Sequence, residues 1–222
     1  MEKKAKSKGI DVEETLGLSH VKHGNSATLL HNKALHVNVE STFVRALPGF
    51  SIVGMADQSI QESRERIKAA LSSIHFQFPA QKITVNLSPS DAKKEGSHFD
   101  LVIALLIALQ KERVTCNDFF IFGELGLDGR VKSTPTIFPI ILSLATQISY
   151  LKVLVPLEIL EAIQHIPGIE AWGIQTLQEA LLFFKEHRYT TPYVTNAKAP
   201  VFGESLTIEG KDYFYHSNFP LD

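Results

Sequence analysis

Apolar and polar positions alternate most regularly over residues 82–87. Ile83, Val85 and Leu87 interleave with Lys82, Thr84 and Asn86, which is the period of a strand with one buried face. From Asp100 the pattern changes. Residues 101–109 carry no polar side chain, so a helix there is apolar all round and must lie inside the fold, with Asp100 placed to cap its first turn. The polar loop between them holds Pro89, Asp91, Lys93, Lys94, Glu95, Gly96, Ser97 and His98. A strand-to-helix junction of this kind is where a fold presents chemistry.

The same period extends to residues 34–45, where Leu35, Val37 and Val39 alternate with His36, Asn38 and Glu40. Leu47-Pro48-Gly49 turns the chain into a short buried strand over residues 50–54. Ser59-Ile60-Gln61-Glu62 has the form of a capping box opening a helix to about Ser73. The apolar stripe of that helix is Ile60, Ser63, Ile67, Ala70 or Leu71, and Ile74. Its other side shows Glu62, Glu65, Arg66 and Lys68, with Glu62 and Arg66 at helical pair spacing. Further on, residues 119–125 and 130–133 flank Gly126-Leu127-Asp128-Gly129, whose Asp-Gly signals a hairpin.

Pro135 starts a helical stretch with Ile137, Ile140, Ile141 and Leu144 on one stripe and Pro139 in its first turn. Residues 152–155 and 169–174 read as strands and residues 157–166 as a short helix. Thr176-Leu177-Gln178-Glu179 is a second capping box, opening a helix to about His187. Strands alternating with helices imply parallel pairing in the second half, joined to a more meandering first half. The fold class is α+β, a mixed sheet with packed helices. Residues 1–33 are weakly patterned and read as an extension, residues 34–188 as the domain, and residues 189–222 as a tail or linker with one hairpin around Gly210.

With 222 residues and 44% hydrophobic content the chain can bury a full core as one domain with appendages. A net charge of −2 gives no global attraction to nucleic acid or membrane, so any such binding must come from a local patch. The single cysteine, Cys116, excludes an intrachain disulfide and a cysteine metal cluster and fits a reducing, cytoplasmic setting. The opening MEKKAKSKGIDVEE is too charged for a signal peptide, and the apolar run at Leu101 falls well short of the ~20 residues of a membrane helix.

Several chemistries are tested against the motifs. GxxxxGK followed by Ser or Thr does not occur, and Gly123-Glu124-Leu125-Gly126 lies within a hairpin pattern, so ATP is not expected to bind this chain by itself. There is no HExxH and no close histidine pair on a helix, and no metal site is expected. Asp91, Glu95 and Asp100 could share acid and base work, against the plainer expectation of salt-paired loop carboxylates. Ser88, Ser90 or Ser97 beside Lys93 or Lys94 could be a nucleophile with a lysine base, but two adjacent lysines in a polar loop argue against the neutral amine this needs.

A resemblance is carried by Ala46-Leu47-Pro48-Gly49-Phe50-Ser51-Ile52-Val53-Gly54, by Glu62-Ser63-Arg64-Glu65-Arg66-Ile67-Lys68, by Phe78-Pro79 through Ile83-Thr84-Val85-Asn86-Leu87-Ser88-Pro89, by Lys94-Glu95-Gly96 through Phe99-Asp100-Leu101, and by Phe122-Gly123-Glu124-Leu125 with Gly129-Arg130-Val131. In this order and spacing they resemble the amino-terminal domain of the ComM/YifB family of magnesium-chelatase-like AAA+ ATPases. The resemblance spans roughly His36 to His187. It implies a Lon-protease-like fold, also found at the carboxyl end of the RadA recombination proteins and related to a domain of a small-subunit ribosomal protein. It also implies an ATPase domain beginning just after Leu221-Asp222.

Lon proteases carry PKDGPSAG at this loop, and laying Lys94-Glu95-Gly96 on its KDG puts His98 at the nucleophilic serine. The lysine of that dyad falls on Phe138. An imidazole and a phenyl ring cannot supply a hydroxyl nucleophile and an amine base, so the resemblance implies the fold without the peptidase chemistry. The family further implies a hexameric ring of this chain with itself. It implies branch migration during natural transformation, with contact to single-stranded or branched DNA and no membrane. ATP and magnesium are expected only in the ATPase domain, with no cofactor in this chain. Lys82, Lys93, Lys94 and His98 on the central loop or its approach, and Arg64, Arg66 and Lys68 on the preceding helix, are the candidates for phosphate contact. The alternatives are local pairing of Arg64 and Arg66 with glutamates, a degenerate Lon-like peptidase, and a pure oligomerisation scaffold. Aromatic residues are not interleaved with this charge, so contact with the nucleic-acid backbone is expected and not base stacking.

Overall fold

A computed structural model describes residues 21–186 and the short segments 194–195, 205–208 and 211–214. In chain order, a hairpin of β1 (Lys22–Leu30) and β2 (Lys33–Val44) leads to β3 (Gly49–Val53), α1 (Gln58–Ser73) and β4 (Lys82–Ser88). A 3-10 turn over Ser97–Phe99 runs into α2 (Asp100–Ala108), followed by β5 (Cys116–Ile121), the small hairpin β6 (Glu124–Leu125) and β7 (Val131–Lys132), and α3 (Ile137–Ala145). The second half continues with β8 (Leu151–Pro156), a 3-10 turn at Leu157–Ile159, α4 (Leu160–Ile163), β9 (Ile169–Ile174), α5 (Leu177–Lys185) and β10 (Val194–Thr195). β11 (Ser205–Ile208) pairs antiparallel with β12 (Lys211–Phe214) on either side of residues 209–210.

Eight strands form one mixed sheet in the order β10-β9-β8-β5-β1-β2-β4-β3. Only β2 and β10 run against their neighbours; β3, β4, β1, β5, β8 and β9 all point the same way. The hydrophobic pattern supplies the two faces. Val37, Val39, Ile83, Val85 and Leu87 bury one face under α1, α2 and α5, while Val153, Val155, Ile169 and Ala171 bury the other under α3 and α4. Every residue from Asp100 to Ile107 is buried, which is what the all-apolar run requires.

The connections β3–α1–β4, β4–α2–β5, β5–α3–β8 and β8–α4–β9 all advance in one direction across the sheet. Right-handed crossovers advancing one way would leave their helices on a single face. Because α1 and α2 lie opposite α3 and α4, the crossovers on one of the two faces have the rare left hand.

Several sequence expectations are corrected. The weakly patterned segment taken as an extension contains β1, an interior strand of the sheet; the first twenty residues of that segment lie outside the described residues. β1 buries Gly24, Ser26 and Thr28 beneath α2, so its inner face is small and polar and shows no hydrophobic period. The helix over residues 58–73 is capped by Asp57, which accepts from the Ile60 N–H at 3.0 Å, and not by Ser59, whose hydroxyl donates to Asp57 at 2.7 Å. β3 is the sheet's edge and buries only Ile52. The Asp-Gly hairpin forms, but the strand before it is divided: Cys116–Ile121 joins the large sheet and only Glu124–Leu125 pairs with β7. Among the described residues no helix is long and apolar enough to cross a membrane.

A Cβ on Gly24 would sit 3.0 Å from Val102 Cγ2 and 3.3 Å from Leu106 Cδ2. Gly24→Ala is therefore expected to destabilise by about 1–2 kcal/mol through overpacking, measured as a lower denaturant midpoint at unchanged slope.

Candidate functional site

Because six strands run the same way, their carboxyl ends share one edge, where sheets of this kind hold their sites. The loop from β4 to α2 lies on that edge beside the turn from β3 to α1, the turn after β5 and the start of α3. Lys94 joins the first two. Its N–H donates to the Met55 carbonyl at 3.1 Å and its carbonyl accepts from the Asp57 N–H at 3.1 Å. The side chain turns inward, fully buried, and the ammonium donates to the carbonyls of Gly54 at 2.9 Å, Ala92 at 2.7 Å and Pro89. Burial pulls this ammonium below the ordinary lysine value, opposed by the Asp91 carboxylate. Gly54 has φ +102, and a Cβ there would lie 2.1 Å from the Leu87 carbonyl oxygen, so the turn beneath Lys94 requires glycine.

His98 is also fully buried, its ring tilted against Phe99 with centroids 4.4 Å apart. Nε2 donates to the Ala27 carbonyl at 2.9 Å, which leaves Nδ1 to accept from the Thr136 hydroxyl at 3.5 Å. Burial lowers this imidazole to about 4 from its ordinary 6.5. The ring is neutral in the fold, whereas the unfolded chain takes up a proton as soon as pH falls below 6.5. Stability therefore has no contribution from His98 above about pH 7 and is lost as pH falls from 6.5 towards 4, by up to roughly 3 kcal/mol. Denaturant titrations across this range should show a steeper loss in the wild type than in His98→Gln; parallel curves would remove His98 as the cause.

Asp100 was expected to cap α2, but it makes a different set of bonds. Its carboxylate accepts from Arg66 Nε at 2.7 Å, from Arg66 Nη2 at 3.2 Å, from the Ser63 hydroxyl and from the Leu125 N–H at 3.2 Å. Burial raises the carboxyl from its ordinary range, and the guanidinium and the Ser63 hydroxyl pull it back down. The hydrogen bond to Asp100 in turn raises the Arg66 guanidinium. Ser97 donates to Glu124, and exposed Lys93 pairs with exposed Glu95 at 2.5 Å.

These positions revise the phosphate-contact candidates. Lys94 and His98 are buried and engaged, so neither offers a charge to a surface polyanion. Arg66 turns in to Asp100 and not along its helix to Glu62, which accepts from Gln58 instead. Arg64 donates to the Gln61 carbonyl at 3.1 Å and Lys68 pairs with Glu65 at 3.0 Å. Lys82 is exposed but begins β4, about 20 Å of strand away from the loop. Lys93 alone of the seven is both exposed and on the central loop. The serine and lysine pairing also fails to form, since the Ser97 hydroxyl faces a carboxylate and the Lys94 ammonium faces carbonyls. Ser63, Glu124 and Thr136 complete the junction and were not singled out for it. Ser63 stood in the apolar stripe of its helix, and a polar residue in such a stripe was the available signal.

Residues 39–159 match the family described as subunit ChlI of Mg-chelatase. The chain is 35% identical over 119 residues to the uncharacterized protein YifB of Escherichia coli (strain K12), which covers 50% of this chain and 24% of that protein. It is 35% identical over 146 residues to an uncharacterized protein of Mycobacterium tuberculosis (strain ATCC 25618 / H37Rv), covering 64% of this chain and 28% of that protein. With competence protein ComM of Haemophilus influenzae it shares 34% identity over 110 residues, 48% of this chain and 22% of ComM. The matched segment thus spans about a quarter of the length of these relatives. The family match runs from β2 to the turn after β8 and takes in the whole junction, so this chain belongs to the Mg-chelatase subunit ChlI family, as an amino-terminal domain of the ComM and YifB kind.

Proposed function

We propose that this domain is the non-catalytic front part of a cytoplasmic DNA-processing ATPase, Lon-protease-like in fold, serving ring assembly and contact with the DNA backbone while ATP and magnesium are bound elsewhere in the parent protein. The observation that carries this reading is how the reactive groups of the junction are used. The Lys94 ammonium, the His98 imidazole, the Asp100 carboxylate and the Ser97 hydroxyl each hold another part of the fold, which supports a joint more than a reaction centre. The Lon-like fold is supported by the approach of His98 to Thr136, two residues before Phe138, because the alignment places the two dyad positions at His98 and Phe138. The competence role in the name of one relative supports DNA as the partner.

Binding of labelled single-stranded and forked DNA over a salt series tests the contact. The logarithm of affinity is expected to fall linearly with the logarithm of salt, as for phosphate neutralisation. A folded chain that binds neither DNA at low salt would leave assembly as the only role. Release of fragments from an unfolded protein substrate would overturn the non-catalytic reading.

A further inference from the structure

The carboxyl edge of the sheet also holds a concavity beside the junction. A groove of about 620 Å³ opens between β7, the turn after β8 and the turn after β9, lined among others by Arg130, Lys132, Glu158, Ile174, Gln175 and Thr176. Its walls are fixed by backbone hydrogen bonds: the Val131 N–H donates to Gln175 at 2.8 Å, the Leu177 N–H to Gly129 at 2.8 Å and the Gly126 N–H to Arg130 at 2.8 Å. Val131 is buried in the core, so Arg130 and Lys132, one residue to either side of it, project together away from the core. Two residues of extended chain separate them by ~6.6 Å, close to the separation of neighbouring phosphates in an extended nucleic-acid strand.

The charge of the lining favours an anion. Its two cations share the lining with one carboxylate, Glu158, already turned onto the Ser133 N–H, and the Glu124 carboxylate across the ladder from Lys132 is taken by the Ser97 hydroxyl. Arg130 also pairs with Asp128 at 3.3 Å, but the two side chains are 77% and 63% exposed, so the pair adds little and a phosphate can replace the Asp128 carboxylate. Gln175 offers a further side-chain amide. We propose that this groove binds successive phosphates of a single nucleic-acid strand, with Arg130 and Lys132 as the paired contacts. The inference rests on the proposed DNA role only for the identity of the strand; the phosphate chemistry belongs to the groove itself.

The test is a pair of titrations of the full 222-residue chain followed by amide NMR shifts, one with inorganic tripolyphosphate and one with a thymidine oligonucleotide. Both should shift residues 130–133, 157–158 and 174–176. Arg130→Glu/Lys132→Glu, two exposed positions whose replacement leaves the core intact, should weaken oligonucleotide binding by about tenfold or more and lower the salt slope by about 1.4, the value for two contacts to a single strand. Oligonucleotide binding unchanged in the double variant would overturn the groove and leave the DNA role standing. Shifts with tripolyphosphate but not with the oligonucleotide would keep the phosphate site and overturn the nucleic-acid strand. If neither probe shifts the groove, the site is overturned outright.

Discussion

Asp100→Ala is expected to destabilise this domain by roughly 3–5 kcal/mol, the range for breaking a buried ion pair from one side. The carboxylate ties three elements: Arg66 and Ser63 on α1, its own position at the start of α2, and the Leu125 N–H on β6. Alanine removes every acceptor together and leaves the Leu125 N–H inside the protein without that partner. The guanidinium keeps its bonds from Nη2 to the Ser59 carbonyl at 3.1 Å and to Ser63 at 2.8 Å but loses its hydrogen-bonded carboxylate, with only the more distant charges of Glu124 and Glu62 left. Asp100→Asn retains one oxygen acceptor and should fall between, at roughly 2 kcal/mol, if charge and hydrogen bonding contribute separately. Arg66→Met/Asp100→Leu should recover part of the loss, since two apolar side chains of similar volume strand no ion. Denaturant unfolding of the wild type and these three variants measures the differences. A loss below about 1 kcal/mol for Asp100→Ala would mean that the α1–α2 contact is held by packing alone.

The sequence patterns that reported the fold are those in which one period dominates. The alternation in β4, the unbroken apolar run in α2 and the Ile137, Ile140, Ile141, Leu144 stripe of α3 all match what forms. The second capping box also forms, with the Thr176 hydroxyl accepting from the Glu179 N–H at 3.1 Å and the Glu179 carboxylate reaching back to the Gln175 N–H at 2.8 Å. β1 left no such trace, because α2 lies so close over it that only Gly24 and small polar residues fit. Its turn at His31 and Asn32 uses two non-glycine residues at positive φ, 50 and 61, which removed the usual Gly signal as well. Ser59 imitated an N-cap because its spacing to Glu62 is right, yet Asp57 precedes it and its carboxylate reaches Ile60 first.

The strand-loop-helix pattern forms as the sequence predicts, but two of the groups expected at its surface, Lys94 and His98, are buried, while Lys93 is exposed. Lys93, Lys94 and Glu95 sit on a short extended stretch, where successive side chains point in opposite directions. That geometry sends Lys93 and Glu95 outward to each other and Lys94 inward. No local signal distinguishes two adjacent lysines; the distinction comes from the carbonyls of Gly54, Pro89 and Ala92, which tertiary structure gathers around one of them. Arg130 and Lys132 carry no such signal in the sequence for the converse reason. They flank a hairpin, and the cavity that gives them a use is closed by residues 157–158 and 174–176, distant in sequence.

The same contrast yields the second large expected effect. Lys94→Met keeps the length and apolar stem of the side chain and deletes only the three donors, so the carbonyls of Gly54, Pro89 and Ala92, on half-buried residues, lose the partner that the buried side chain brought to them. At about 1–3 kcal/mol for each unsatisfied buried group, offset by the desolvation of the ammonium that methionine avoids, the net loss should be roughly 3 kcal/mol or more. Lys93→Met, one residue away, removes only an exposed pair with Glu95 and should stay within about 0.5 kcal/mol of wild type. Denaturant midpoints of the two variants decide the matter, and amide hydrogen exchange should show faster opening of residues 54–57 and 89–95 in Lys94→Met alone. Equal stability of the two variants would mean that the ammonium lies in solvent and that the loop is held by its backbone bonds. The same difference separates the two lysines in any charge-reversal test of DNA contact: a reversal at Lys94 is expected to loosen the junction itself, so Lys93→Glu is the variant that reports on a phosphate contact at this loop.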